Sequence, residues 1–132
     1  MLELHEERMS DAMMKYHLDG LPRSAVLHRF TAPDWGPHHD HPWPLTSFIV
    51  SGGYREEVLD RDTGLTSFID HREGESFSFS STHIHRIVEL FAPEVWTLIL
   101  PGDWEQKSGF WEVRGNVLWH RFWDGDWERV QG

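Results

Sequence analysis

Residues 36–54 read GPHHDHPWPLTSFIVSGGY. Three histidines and an aspartate fill positions 38–41, then the chain turns apolar and closes on Gly52-Gly53. Prolines at 37, 42 and 44 keep the histidine segment out of regular structure. Residues 45–54, LTSFIVSGGY, read as a strand ending at the glycines. On an extended backbone His39 and His41 point the same way, so two imidazoles leave one face side by side.

Working outward, residues 24–30 (SAVLHRF) form a short mixed strand, and residues 32–44, with four prolines, are loop or irregular edge. Residues 55–60 and 65–70 flank the turn RDTG, and 75–80 (ESFSFS) alternate as a strand with one wet face does. Residues 83–90, 95–100, 109–113 and 116–122 read as further strands, with Arg114-Gly115 turning between the last two. The tail DGDWERVQG reads as surface. At the start, residues 2–18 present Leu2, Leu4, Met9, Met13 and Tyr16 at helical spacing, and Gly20-Leu21-Pro22 stops them. The expectation is a short N-terminal helix over residues 1–20, then roughly eight to ten strands over 24–122. That pattern makes a sandwich or barrel rather than a βαβ fold. With 132 residues and no internal repeat, a single domain over 1–132 is expected.

Composition narrows the function. There is no cysteine, hence no disulfide framework, thiolate metal site or cysteine nucleophile. The formal net charge of −10 disfavours a phosphate backbone as partner, so no nucleic acid is expected. Residues 1–20 lack the apolar core of a signal peptide, and no apolar run is long enough to cross a bilayer. A cytoplasmic protein without a membrane partner is expected, and the eight tryptophans leave apolar surface for a homodimer.

His83 and His85 form a second His-x-His pair. Two such pairs facing one another would supply three or four ligands to one metal, and neutral imidazole suits Zn, Cu, Ni and Fe(II). The first stretch also carries a rival arrangement. His38-x-Asp40 has the form of a two-histidine, one-carboxylate facial triad, with His83 or His85 as distal ligand. Residues 38 and 40 point opposite to 39 and 41.

The spacing of these residues resembles the cupins. Their first motif, G-x5-HxH-x3/4-E-x6-G, is matched from His39-x-His41 through Thr46 to Gly53. Their second, G-x5-PxG-x2-H-x3-N, is matched in spacing by Gly74, Ser80, Thr82, His85 and Glu89. Thr46 stands where the family has a glutamate ligand, and Ser80, Thr82 and Glu89 replace Pro, Gly and Asn. The resemblance implies an all-β double-stranded β-helix, a jelly-roll barrel. It implies a divalent metal on His39, His41 and His85 with His83 beside it, Fe(II) first and Zn, Ni or Mn as alternatives.

A three-histidine set resembles that of the thiol and diketone dioxygenases. It leaves the ion a dication with open positions for a small-molecule substrate and dioxygen. A metal-dependent isomerase or lyase and a non-catalytic binding cupin are the alternatives. Around the metal, His28 and Tyr54 are the acid–base candidates. Trp43, Thr46, Arg29 and Trp96 are the expected pocket residues. The carboxylates Glu56, Glu57, Asp60 and Asp62 read as a solvated hairpin, and His71 as solvated.

Overall fold

The computed structural model describes residues 2–21 and 23–130. Pro22 of the expected helix stop and the last two residues of the tail lie outside the described residues. Among the described residues there are thirteen strands: β1 (Glu3–Ser10), β2 (Met13–Asp19), β3 (Ala25–Phe30), β4 (His38–His39), β5 (Leu45–Ser51), β6 (Gly53–Leu59), β7 (Thr66–Arg72), β8 (Ser76–Phe79), β9 (His85–Leu90), β10 (Val95–Pro101), β11 (Gly109–Arg114), β12 (Val117–Phe122) and β13 (Glu128–Arg129). They form two antiparallel sheets. The first runs β1-β2-β3-β10-β5-β8 and the second β13-β12-β11-β4-β9-β6-β7.

Alternation decides which side chains enter. Along β5 the residues Leu45, Ser47 and Ile49 are buried, while Phe48 and Val50 are exposed. On β10 the inward set is Val95, Thr97 and Ile99. Ile49 and Val95 of the first sheet meet Tyr54 and Ile87 of the second, with Phe30, Phe77 and Leu90 packed against them. This core lies between the sheets. A second cluster, Leu59, Ile84 and Trp111 with Leu118 and Val130, is built along the second sheet. Val130 gives the expected surface tail an anchor, and β13 pairs it to β12.

The strand over 45–51 ends at the glycine pair, as expected, and the pair turns a corner. β5 closes in the first sheet at Ser51 and β6 opens in the second at Gly53. Both glycines have positive φ, 94° and 96°. A Cβ on Gly53 would stand 2.6 Å from the carbonyl oxygen of His71. Only glycine takes this crossing without strain, and the crossing aims Tyr54 and Glu56 at the gap between the sheets.

The expected N-terminal helix is not present among the described residues. Residues 3–19 form the hairpin β1–β2 around Asp11-Ala12, and β2 pairs with the free edge of β3 from Met13↔Phe30 to Leu18↔Ala25. The physical reason is the edge itself. β3 offers a row of unpaired backbone groups, and β2 satisfies them. The apolar residues that suggested a helical stripe do not form one: Leu2, Leu4 and Met9 are exposed. Tyr16 instead stacks on Trp96 of the same sheet, ring centroids 5.5 Å apart. No helix among the described residues is long and apolar enough to cross a membrane.

Candidate metal centre

His39 sits on the two-residue strand β4, between β11 and β9, where its register partners are Phe110 and His85. That register puts His39 and His85 side by side, and the period of two carries His41 to the same face. The three rings form a triangle with centroid separations of 4.8 Å (His39–His85), 5.1 Å (His39–His41) and 5.1 Å (His41–His85). One ligand nitrogen from each lies within 4.8 Å of the other two. Phe79 of β8 closes the triangle, 5.4 Å from His41 and 5.0 Å from His85.

Glu56, placed in a solvated hairpin on sequence, is 1 % exposed. Nδ1 of His85 donates to Glu56 Oε2 at 2.5 Å. His83 Nε2 lies 3.4 Å from the same oxygen, and His71 Nε2 lies 3.1 Å from Oε1. His71, expected in solvent, is likewise buried; it stacks on Phe77 at 3.8 Å and turns Nδ1 to Glu75 at 3.2 Å. A chain of hydrogen bonds thus runs from His85 through Glu56 and His71 to Glu75 at the surface. The parity of β6 carried a signal for Glu56. It shares the inward phase of Tyr54, and a carboxylate in that phase must find donors.

Electrostatics prepare the triangle for a cation. Burial, reinforced by the neighbouring histidines, holds His39 and His41 well below the ordinary imidazole range. Burial lowers His85 too, against the pull of Glu56. All three are neutral near pH 7, the form that ligates. Burial alone would raise the Glu56 carboxyl, but hydrogen bonds from His71, His83 and His85 outweigh it and hold it ionised. Burial alone would lower His71, and its two carboxylate partners raise it above the ordinary value instead.

The residues fit a metal. With Nδ1–H of His85 committed to Glu56, Nε2 is a bare lone pair, and that atom is buried with no partner among the described residues. Nδ1 of His41 is orphaned in the same way. Orphaned buried imidazole nitrogens are costly unless something accepts them. Carboxylate–histidine pairs of this kind orient ligands in metal sites. Glu56, His83 and His85 also lie close enough to be a ligand set. Two atoms bound to one ion at about 2.1 Å stand about 3 Å apart, and the 2.5 Å between Glu56 and His85 is a hydrogen bond instead.

The remaining expected site residues are distributed as follows. His28 lies on the inner face of β3, opposite buried Thr97, and burial pushes it down to about 3. Tyr54 is within β6 and buried in the core, its ring 5.3 Å from His71; burial raises its phenol. His83 stacks on Phe79 at 4.6 Å. Trp43 is half-buried in the loop before β5. Thr46, Arg29 and Trp96 share the outer face of the first sheet, away from the triangle. Thr46 bonds Ser78 at 2.9 Å, while Arg29 and Trp96 both donate to Glu94. The rival pair does not converge with either distal histidine. Asp40 accepts from Gly109 N and Trp111 Nε1, and His38 lies against Glu57.

No protein-family model matches this sequence, and no curated protein matches it. Solved structures do match. The chain is similar to CapF bound to the inhibitor 3-isopropenyl-tropolone, with a TM-score of 0.66 and 13% identity, over 84% of this chain and 35% of that one. It is similar to oxalate decarboxylase of Bacillus subtilis, with a TM-score of 0.61 and 20% identity, over 76% of this chain and 27% of that one. A further structure of that decarboxylase, a protein with Mn(II) centres, matches with a TM-score of 0.60 and 18% identity over 79% and 28%. The chain spans about a third or less of the length of these structures. Both proteins have the cupin fold, and so does this chain.

Proposed function

We propose that this cupin-fold chain binds one divalent metal through His39, His41 and His85 and acts as a dioxygenase on a small, metal-chelating molecule. The observation that carries the reading is the triangle of neutral imidazoles, with Glu56 fixing the tautomer of His85. No carboxylate among the described residues joins that ligand set, so the ion would keep its full double charge. A facial set of three ligands also leaves room on the open side. Iron(II) or manganese(II) bound there would supply Lewis-acid and one-electron chemistry toward a chelating substrate and dioxygen.

The chain's own residues have definable tasks. His39 and His41 present their rings from one extended segment. His85 is held by Glu56, and Phe79 excludes water from that side.

The Mn(II) centres of the structurally similar oxalate decarboxylase favour a second reading, manganese in a lyase that consumes no oxygen. Oxygen-electrode assays decide between them. The untagged protein, loaded separately with Fe(II) and Mn(II), is screened against thiols and β-diketones. Substrate-dependent oxygen uptake, lost in His41→Ala, supports the dioxygenase. Turnover with no oxygen uptake would overturn it in favour of the lyase. Tight substrate binding without turnover would leave a binding protein.

A further inference from the structure

Alternation turns His39 and His85 toward the triangle, so it turns their neighbours His38 and Arg86 to the other face of the second sheet. There Trp111 stands opposite His38, and Arg86 opposite Glu57. Directly opposed residues in antiparallel strands share a face. Trp111, His38, Arg86 and Glu57 therefore form a row across β11, β4, β9 and β6. Over this row lies a cavity of about 410 Å³, bounded also by Trp35 and Glu112. Its size is that of a small-molecule site, and the sheet separates it from the histidine triangle.

The walls are held in place. Trp35 is 69 % exposed, yet the loop that carries it is fastened. Asp34 N donates to Ile87 O at 2.7 Å, Gly36 N to Asp34 Oδ1 at 2.8 Å, and Arg86 Nη1 to Gly36 O at 3.0 Å. The Arg86 guanidinium also lies 5.8 Å from the Trp35 ring. Polar atoms are nevertheless left open. His38 is 8 % exposed, and its Nε2 has no hydrogen-bond partner among the described residues: it lies 2.7 Å from Glu57 Oε1 but out of line for a bond. Arg86 gives Nε and Nη2 to that same oxygen, at 3.1 and 3.0 Å, and Glu57 Oε2 has no partner among the described residues. Polar atoms in such a place are costly unless a ligand or water completes them.

Charge and shape select the ligand class. Glu57 is offset by Arg86, and Glu112 is met by Arg114 at 3.3 Å. A lining so balanced favours neither an anion nor a cation. A carboxylate and a guanidinium are planar and offer paired acceptors and paired donors, which suit adjacent hydroxyl groups. An indole offers the negative face of its ring to C–H bonds. Hydroxyls around the edge and C–H bonds on the face together describe a sugar ring.

We propose that this outer cavity is a second binding site, for a neutral pyranose sugar stacked on Trp35 with its hydroxyls on Glu57, Arg86 and His38. It shares no residue with the metal triangle and does not rest on the metal reading.

Saturation-transfer difference NMR on the full chain tests it. The probes are methyl glucoside, methyl galactoside, methyl mannoside and N-acetylglucosamine, with benzoate and benzylamine as charged aromatic controls. Transfer to the ring C–H protons of at least one sugar is expected, and stronger than to either control. Trp35→Ala and Glu57→Gln should each weaken sugar binding by about tenfold or more, Trp35→Phe should keep most of it, and His41→Ala should leave it unchanged. Transfer to none of the sugars, or tighter binding of a charged control, would overturn the assignment. So would sugar binding that survives Trp35→Ala or is lost in His41→Ala.

Discussion

Glu56 carries the most consequence of any single residue. Its carboxylate gathers His71, His83 and His85 and fixes which nitrogen of His85 is free. Replacing it with glutamine keeps the shape but removes the charge that holds the Nδ1 proton. Metal affinity should fall by about 10–100-fold in Glu56→Gln, measured by competition against a chromophoric chelator. Unchanged affinity would mean that the pair is structural only. The convergence of His39 and His41 was legible in the sequence because a period of two needs only local information: 39 and 41 must share a face. Glu56 was obscured by company, in a run of charged residues that resembles a solvated hairpin. What buries it is a set of donors arriving from β7 and β9, distant in sequence.

At the scale of the element, the strands β3 and β10 show how a sheet face sets a titration. His28 projects from β3 into the gap between the sheets, and burial, with help from Lys15 and His17, pushes it down to about 3. In the unfolded chain it titrates near 6.5. Between those two values the unfolded state binds a proton that the folded state refuses, so stability falls as pH drops through this window and is flat above it. The slope from this residue reaches about 1.4 kcal/mol per pH unit. His28→Leu should flatten the acid limb of a urea-denaturation series on metal-free protein run from pH 7 to pH 4. An unaltered limb would contradict the burial argument.

The strand pattern from residue 24 onward was legible because alternation and turn glycines are local signals. The first hairpin was not. Whether residues 3–19 coil into a helix or pair as strands depends on the open edge of β3, which exists only once the sheet has formed. A weak helical stripe, with Leu2, Leu4 and Met9 in solvent, cannot compete with a backbone ladder.

For the whole molecule, topology does what no segment could. β4 is only two residues long, yet its place between β11 and β9 brings His39 against His85, from the far side of the β5–β8 excursion. The second sheet holds His39, His85 and Glu56. The first faces them and sets Phe79 against His41 and His85. An ion bound to the native state alone would stabilise this arrangement by mass action, about 2.7 kcal/mol at a hundredfold excess over Kd.

Metal content tests the histidine triangle most directly. Untagged wild-type protein and His41→Ala are each incubated anaerobically with Mn(II) or Fe(II), dialysed and analysed by mass spectrometry. About one equivalent of metal is expected in the wild type, lost in His41→Ala. Metal-free wild type, or equal retention by both proteins, would contradict it.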